Sequence, residues 1–394
     1  MNTDQTTFFS DHIRKHVSEY YCGLGPGQPY VRLVSKQQRK TALLYQFRVD
    51  NLAQAHSVFV KVFRSVSENS GLRQSAYEKP LLYPKTDPHD RHRLYYTALK
   101  ATYDYLTCLN QSCLGAIRVL DYLPEHCAVI TDGSCDVKLR QLFWRKNYLY
   151  SPIPNDELSL VFQNAGIWLN LYHKMPKDDV IVRSACREDY IEAIIKLKDF
   201  LIVTLGDESF FNQSAEIIIN KAHKTLPVSL PLGLAHGDFA QRNILIGPNA
   251  HVTVLDTFAR WRTPIYQDIG YFLNDLKMAY PQAISRGLTF ISNQLITYER
   301  AFLRGYFGQE PVPYSAVRLY EALALLDKWS ATVARAYQQS NSTRIFRRSI
   351  NSLRNRYFKR GLKSLLVELT EVKLMIAILL TEFTKITTLM EMMA

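Results

Sequence analysis

The first third of the chain alternates apolar and polar positions in short runs. Residues 28–64 contain QPYVRLVSK, TALLYQFRV and SVFVKVF, which are rich in valine, tyrosine and phenylalanine. A period of two residues is typical of strands with one buried face. The pattern therefore predicts three consecutive strands in an antiparallel meander. Residues 65–92 are polar and contain Pro80, Pro84 and Pro88, which predicts a long loop.

A helix and two further strands complete this sheet-rich region. The run RHRLYYTALKATYDYLTCL predicts a helix, with Asp90 as its N-cap. AIRVLDYL and CAVITDG then predict two strands, and the second ends at Gly133. Together these elements predict a small lobe between residues 25 and 130.

The later chain changes to apolar residues spaced by three and four positions. This spacing predicts helices that bury one face, over residues 158–173, 186–204, 287–307 and 315–337. Residues 232–257 differ, because two short apolar runs flank a Gly-Pro-Asn turn, which predicts a hairpin. Polar residues lie between the strands there, and such connecting segments often carry binding and catalytic residues.

Composition and charge narrow the classes of protein and partner. A chain of 394 residues that is 47% hydrophobic is long enough to form two domains or two lobes. This length and composition exclude a disordered chain and a small disulfide-rich protein. There are 48 Lys and Arg residues against 36 Asp and Glu residues. The resulting net charge of +12 favours partners with phosphate or an anionic surface.

Cysteine usage and the absence of long apolar runs predict a cellular location. The six cysteines form no CxxC pair, and we interpret them as reduced thiols. The N-terminal residues lack the long apolar run of a secretory signal. The apolar stretch at residues 374–380 is far shorter than the roughly 20 residues of a membrane span. We therefore expect a cytoplasmic protein, peripheral to a membrane at most.

The polar residues of the hairpin region form a constellation suited to phosphoryl transfer. His236, Gly237, Asp238 and Asn243 have the spacing HGDxxxxN, and Asp256 ends the apolar run VTVLD thirteen residues later. Phosphoryl transfer needs an Asp that orients the attacking hydroxyl, together with oxygen ligands for Mg²⁺. Two carboxylates and an amide that converge on one point supply these groups. A simple turn with capping residues is the alternative interpretation.

The sequence resembles the aminoglycoside phosphotransferase and choline kinase-like family, which shares the two-lobed protein kinase fold. The resemblance rests on LAHGDFAQRNILI, VTVLDT, YQDIGYFLND and, upstream, NAGIWLNLYH. It implies that Asp238 is the catalytic base or hydroxyl-orienting residue, and that Asn243 and Asp256 bind metal. It also implies that His236 braces the catalytic loop and that Asp268 stabilises this loop from behind.

Lys61 lies inside the apolar strand VFVKVF, where it is the only interior charge. Burying an unpaired ammonium is costly, and the family resemblance places a lysine on this strand to contact the nucleotide phosphates. Glu78 is the predicted acidic partner, with Asp90 and Asp104 as alternatives. An outward lysine on a half-exposed strand is the competing interpretation.

Two further nucleotide contacts are predicted in the first lobe. Residues 35–41, SKQQRKT, occupy the place of the family's phosphate-covering loop but contain no glycine. Ser35 is the predicted phosphate contact, although a solvated basic hairpin is an equal alternative. The hinge is predicted at residues 130–133, and Asp132 is the predicted adenine contact there.

The acceptor contacts are predicted just after Asp256. Arg260 and Arg262 flank Trp261. Arginine binds phosphate or carboxylate bidentately and tryptophan stacks on sugar rings. This favours a sugar, glycan or glycolipid acceptor over an aminoglycoside or an amino alcohol. Pairing of the arginines with acids such as Asp268 is the structural alternative.

A basic segment follows near the C-terminus. Residues 344–363 contain eight cations and no acid, with apolar residues between them. This pattern suits an anionic membrane surface, and a nucleic acid is a less favoured partner. A basic helix packed on the large lobe is the commoner outcome for such a pattern.

These interpretations combine into one prediction of fold and function. The fold class is α+β, a two-lobed protein-kinase-like fold with a small antiparallel-sheet N-lobe and a larger helical C-lobe. Residues 1–132 form the nucleotide-binding lobe, residues 133–340 the catalytic and acceptor lobe, and residues 341–394 the C-terminal helices. The predicted reaction is Mg²⁺-dependent transfer of the γ-phosphate of ATP, or of GTP, to a small-molecule hydroxyl. A catalytically silent nucleotide-binding or scaffold protein is the alternative.

Overall fold

The chain folds into a sheet-rich first lobe, where apolar residues alternate with polar ones, and a helical second lobe, where apolar residues are three and four positions apart. The computed structural model describes residues 2–22, 29–39, 41–50, 55–64, 87, 89–133, 137–142, 155–178, 180–277, 292–338, 352 and 354–370. Within these ranges the predicted α+β, two-lobed fold class is confirmed. The predicted boundaries at residues 132 and 340 stay predictions, because residues 134–136 and 339–351 lie outside the described residues.

The first lobe is built on a five-stranded antiparallel sheet with the strand order β1-β2-β3-β6-β5. The elements of this part of the chain are α1 (Asn2–Tyr20), β1 (Tyr30–Gln38), β2 (Ala42–Asp50), β3 (His56–Phe63), α2 (Arg91–Leu109), β4 (Leu114–Ala116), β5 (Val119–Leu123) and β6 (Ala128–Gly133). The strand predicted over AIRVLDYL is present as β5, which begins at Val119, and the first residue of this run, Ala116, ends β4.

The N-terminal helix α1 was not predicted. Phe9, Ile13, Val17 and Tyr20 recur at helical spacing and are buried against one face of the sheet. At the end of α1, the Tyr21 hydroxyl donates a hydrogen bond to Asp132 at 2.8 Å. The helix therefore covers the sheet face that would otherwise expose the apolar side of β2 and β3.

Strand alternation in β3 separates two environments. Val58, Val60 and Val62 face α1, in the same apolar cluster as Phe9 and Ile13. Phe63 belongs to the cluster on the opposite face, with helix α2. Because successive side chains of a strand point to opposite faces, Lys61 shares the face of Phe63. The pleat of β3 thus directs the lysine towards α2 and the second lobe.

Asp90 precedes α2 as predicted, but its side chain makes no capping hydrogen bond. Its carboxylate instead contacts the Arg93 guanidinium at 3.0 Å. Asp90 is therefore the N-cap residue, as predicted, and its side chain pairs with Arg93 rather than with a backbone amide of the first turn.

The second lobe contains most of the described helices and two small sheets. Its elements are β7 (Val137–Lys138), α3 (Asn155–Lys174), β8 (Ile181–Val182), α4 (Arg187–Leu205), α5 (Glu208–Thr225), β9 (Leu232–Leu234), β10 (Ile244–Ile246), β11 (Val252–Val254), β12 (Trp261–Pro264), α6 (Tyr266–Lys277), α7 (Ser292–Phe307), α8 (Tyr314–Gln338) and α9 (354–370). The small sheets have the orders β4-β11-β10-β7 and β8-β12-β9. The predicted hairpin is confirmed as β10 and β11.

Helices α3 and α7 approach closely at two glycines. A Cβ atom at Gly166 would overlap the Phe302 carbonyl oxygen, and one at Gly305 would overlap the Gln163 carbonyl oxygen. These neighbours are backbone atoms, which cannot rotate away as a side chain can. The crossing therefore requires glycine at both positions.

We expect Gly305→Ala to destabilise the protein by about 1–3 kcal/mol, because an added methyl overpacks this crossing. In an open helix position the same change would stabilise by about 1 kcal/mol. The midpoint of urea unfolding gives the sign directly. A midpoint that rises in Gly305→Ala would show that the helices separate without cost.

A buried network of charges links the last helices of the lobe. Lys277 of α6 contacts Glu299 of α7 at 3.0 Å and Glu321 of α8 at 2.9 Å. Arg318 of α8 contacts Glu299, Glu321 at 2.9 Å and Glu368 of α9 at 2.5 Å. Two cations thus pair with carboxylates from three helices and offset part of the cost of burying Glu299 and Glu321. Burial still raises the pKa of Glu321 above its usual value.

The described part of the basic segment packs on the second lobe. Phe358, Leu362 and Leu365 of α9 are buried, and the Phe358 ring stacks on Trp329 with centroids 5.6 Å apart. Residues 354–363 therefore form a basic helix packed on the large lobe, as in the alternative interpretation of this segment. Residues 344–351 and 353 lie outside the described residues, and contact with an anionic membrane stays a prediction.

None of the helices in the described ranges is long and apolar enough to cross a membrane.

Candidate active site

The hairpin of β10 and β11 brings two predicted metal ligands together. Ile244 pairs with Val254, so the residues just outside this pair also meet. The Leu255 amide donates a hydrogen bond to the Asn243 carbonyl oxygen at 2.7 Å. Asp256 follows directly and has a positive φ of 59°. The register of a short hairpin thus places Asn243 beside Asp256, although twelve residues separate them in the sequence.

Asp238 and Asn243 contact each other directly. The Asn243 Nδ2 atom donates hydrogen bonds to the Asp238 carbonyl oxygen and to Asp238 Oδ2, both at 2.9 Å. Because the nitrogen is used in this way, the amide oxygen is the atom of Asn243 that remains to bind a cation. The DxxxxN spacing therefore closes a small loop around the Asp238 carboxylate.

Asp268 supports the loop from behind. Its two carboxylate oxygens accept hydrogen bonds from the His236 amide at 2.7 Å and the Gly237 amide at 2.9 Å. His173 contacts the same carboxylate at 3.2 Å. Burial would raise the pKa of Asp268, but His173 and His236 lower it below its usual value. Gly237 has a φ of 77°, a conformation that favours glycine.

His236 is buried and fixes the start of the loop. Its Nε2 atom lies 3.0 Å from the Leu255 carbonyl oxygen, and its Nδ1 atom lies 3.3 Å from the Asp238 amide. These partners fit a neutral ring with the proton on Nε2. Burial lowers the pKa of His236 below 6.5, although Asp268 and Asp238 oppose this effect. His236 therefore orients the loop as a neutral group.

Lys61 reaches from the first lobe to the second. Its Nζ atom lies 2.5 Å from Asp256 Oδ1, and the lysine side chain is 21% exposed. Burial would raise the pKa of Asp256, but the Lys61 ammonium lowers it below its usual value. The structure thus brings together Lys61 and Asp256, which are 195 positions apart in the sequence.

Two other predicted nucleotide contacts, Ser35 and Asp132, have recorded partners outside this group. Ser35 donates a hydrogen bond to Gln46 on the neighbouring strand at 3.2 Å. The Asp132 carboxylate accepts a hydrogen bond from Tyr21, and its amide donates to the Arg118 carbonyl oxygen. Glu78 lies outside the described residues. Their nucleotide contacts stay predictions.

The predicted acceptor residues lie in and beside β12. Trp261 and Arg262 pair with Ile181 and Val182 of β8. The Arg262 guanidinium donates a hydrogen bond to the Met175 carbonyl oxygen at 3.3 Å. The Arg260 guanidinium lies over the Trp261 ring, 5.1 Å from its centroid. The structure records neither arginine in an ion pair with Asp268, and acceptor binding by these residues stays a prediction.

Comparison with known proteins gives a likeness in structure only. No family model matches the sequence, and no curated protein matches it significantly. A choline/ethanolamine kinase family protein from Mesorhizobium loti is 14% identical, with a TM-score of 0.48, over 90% of this chain and 94% of that one. A choline kinase from Streptococcus pneumoniae is 12% identical, with a TM-score of 0.47, over 91% of this chain and 99% of that one.

An ADP-bound aminoglycoside phosphotransferase is also similar. It is 12% identical, with a TM-score of 0.47, over 88% of this chain and 98% of that one. These proteins belong to the two classes that the sequence motifs resemble.

The oxygen atoms in the site fit a magnesium ion. Asn243 offers an amide oxygen and Asp256 a carboxylate. Within the described ranges no three His, Cys, Asp or Glu side chains group as a metal site. Magnesium is commonly bound by one or two carboxylates together with the phosphates of its substrate. A site with two protein ligands and nucleotide oxygens is therefore compatible with these residues.

Two residues at the site were missed by the sequence analysis. Arg242, inside the HGDxxxxN motif, forms an ion pair with Asp238. Tyr95, on α2, contacts Lys61 with its ring and lies beside Asp256. Arg242 could have been singled out as a charge within the motif. Tyr95 gave no signal, because an aromatic residue on the apolar face of a helix usually packs in the core.

Proposed function

We propose that this chain is a small-molecule kinase that transfers the γ-phosphate of ATP, or of GTP, to a hydroxyl group. One observation carries the proposal: Lys61 from the sheet lobe meets Asp256 from the helical lobe at 2.5 Å. Asp238 and Asn243 lie in the loop before β10, with Asp238 Oδ2 2.9 Å from Asn243 Nδ2. The two lobes would thus supply neighbouring side chains for three tasks: Lys61 to contact the phosphates, Asp256 to bind the metal ion, and Asp238 to accept the proton of the substrate hydroxyl.

Each side chain has a distinct part in this proposal. Lys61 contacts the nucleotide phosphates, and Asn243 and Asp256 would hold Mg²⁺, which supplies charge neutralisation when bound. Asp238 accepts a hydrogen bond from the acceptor hydroxyl and takes its proton as the oxygen bonds to phosphorus. The bond from the γ-phosphorus to the bridging oxygen then breaks, and ADP leaves. Positioning and electrostatics supply most of such catalysis.

Asp238 is arranged for this part. Its side chain is 42% exposed, so an acceptor hydroxyl can reach it, while Arg242 and Asn243 contact its two oxygens. Asp268 fixes the backbone on its N-terminal side through the amides of His236 and Gly237. The carboxylate is therefore accessible on a backbone that is held in one conformation.

We propose a sugar-containing molecule as the acceptor. Trp261 offers a ring for stacking on a sugar, and Arg260 and Arg262 offer cations for an anionic group. All three residues follow Asp256 within six positions and lie partly exposed. The chain as a whole carries a net charge of +12, which disfavours a polycationic acceptor.

The test is a turnover assay with the full chain. ATP or GTP and Mg²⁺ are supplied with a panel of neutral sugars, sugar phosphates, glycolipids, aminoglycosides and amino alcohols. We expect ADP or GDP release that depends on both Mg²⁺ and one class of acceptor. Nucleotide binding without acceptor-dependent turnover would instead indicate a silent scaffold. Turnover with an aminoglycoside and with no other acceptor would support the proposed kinase activity but contradict the proposed sugar acceptor.

A further inference from the structure

Tyr95 lies where the two lobes meet, beside the candidate active site. It is on the second turn of α2 and its side chain is buried. Its ring packs against Phe63 of β3, with centroids 5.3 Å apart, and against Phe258, with centroids 5.8 Å apart. Phe63 is two residues from Lys61, and Phe258 is two residues from Asp256. One aromatic ring thus contacts both chain segments that supply the site.

The face of the same ring contacts Lys61. The Lys61 Nζ atom lies 4.0 Å from the centroid of the Tyr95 ring. An ammonium above an aromatic face is attracted to the electrons of the ring, and the attraction increases when the cation is partly desolvated. Tyr95 therefore restricts where the lysine ammonium can lie.

The hydroxyl group of Tyr95 lies beside Asp256. It is close enough to the carboxylate to lower the pKa of Asp256, and burial together with the carboxylate raises the pKa of Tyr95. A buried hydroxyl without a partner would destabilise the fold. Phenylalanine would fill the same apolar space without this requirement, so packing alone does not explain the choice of tyrosine. The group beside the hydroxyl is the predicted metal ligand, which connects the choice to the site.

We propose that Tyr95 is a positioning residue. It holds the side chains of Lys61 and Asp256 in the positions that nucleotide and metal binding require. The ring face locates the lysine, and the hydroxyl orients the carboxylate. This inference rests on the proposed function, because it assigns Asp256 to the metal and Lys61 to phosphate. It also gives α2 a direct link to the site, since movement of this helix would break both contacts.

The test separates the two contacts by substitution. Tyr95→Phe retains the ring and removes the hydroxyl, whereas Tyr95→Leu removes both. Tyr96→Phe is the matched control, because Tyr96 is the next residue and stacks on Tyr122 instead, with centroids 4.3 Å apart. Calorimetry measures the binding of ADP with and without Mg²⁺, and thermal unfolding is measured on each variant.

We expect Tyr95→Phe to weaken the contribution of Mg²⁺ to ADP binding by about tenfold, as is common when a partner of a metal ligand is removed. Binding of ADP without Mg²⁺ should change less than about twofold, since the ring under Lys61 remains. Tyr95→Leu should weaken both. Tyr96→Phe should weaken neither. If Tyr95→Leu does not fold, Tyr95→Phe decides the proposal alone.

Two results would overturn the proposal. One is equal Mg²⁺ dependence of ADP binding in Tyr95→Phe, Tyr96→Phe and the wild-type chain. The other is a wild-type chain that does not bind ADP with Mg²⁺ at all, which also removes the proposed function. A wild-type chain that binds ADP with Mg²⁺ but phosphorylates no acceptor would remove the proposed function alone, because the binding comparison still tests Tyr95.

Discussion

Replacing Asp238 by asparagine is expected to lower the rate of phosphate transfer by about 10³-fold, within the range for loss of a general base. The substitution retains the size of the side chain but removes the charge that accepts the hydroxyl proton. Affinity for ATP should change by less than about threefold, because Lys61 and Asp256 form a separate contact at 2.5 Å. Initial rates with the acceptor that the turnover assay identifies, and ATP binding by calorimetry, measure the two effects.

Asp199→Asn is the control for this experiment. Asp199 lies on α4, is 58% exposed and pairs with Lys198 at 2.8 Å. Its substitution should leave both the rate and ATP affinity unchanged. An Asp238→Asn variant with the wild-type rate would show that Asp238 does not take the hydroxyl proton. The motif would then have another role.

Replacing Arg318 by leucine is expected to reduce the free energy of unfolding by about 3–5 kcal/mol. Glu299 and Glu321 are buried, and Lys277 would be the cation left between them. One buried carboxylate would then need to be protonated in the folded state, which raises its pKa above the unfolded value. The destabilisation should therefore be smaller at pH 5 than at pH 8.

Urea unfolding at both pH values measures this effect. Arg335→Leu is the matched control, because Arg335 is exposed on the same helix and donates a hydrogen bond to the Ala331 carbonyl oxygen. The control should change the free energy by no more than about 0.5 kcal/mol. Equal effects of the two substitutions would show that the buried network adds nothing to stability.

Local sequence patterns were informative about elements and about the motif. The runs in residues 28–64 became three antiparallel strands, and the Gly-Pro-Asn turn became a hairpin. The helix α1 was missed, although Phe9, Ile13 and Val17 show its period, because its apolar positions alternate with many polar ones. Asp90 was correctly predicted as the N-cap of α2, but the sequence did not show that its side chain pairs with Arg93.

The environment of each site residue was less predictable. The sequence placed a lysine in β3 but could not say which group it meets, because its contacts with Asp256 and Tyr95 span long separations. The basic segment at residues 344–363 was ambiguous for a similar reason. An amphipathic helix presents the same pattern to a membrane and to a protein surface, and burial of Phe358 and Leu362 decided for packing in the described part.

The sequence by itself determined the strand and helix periods and the spacing of Asp238 and Asn243, and it predicted phosphoryl transfer as the chemistry of these residues. Only the tertiary structure decided that Lys61 and Asp256 meet, that Asp268 accepts two loop amides, and that Tyr95 contacts both lobes. The physical reason is the range of the interactions. Backbone periods and turns depend on neighbours within a few residues, whereas these contacts depend on how two separately formed lobes pack together.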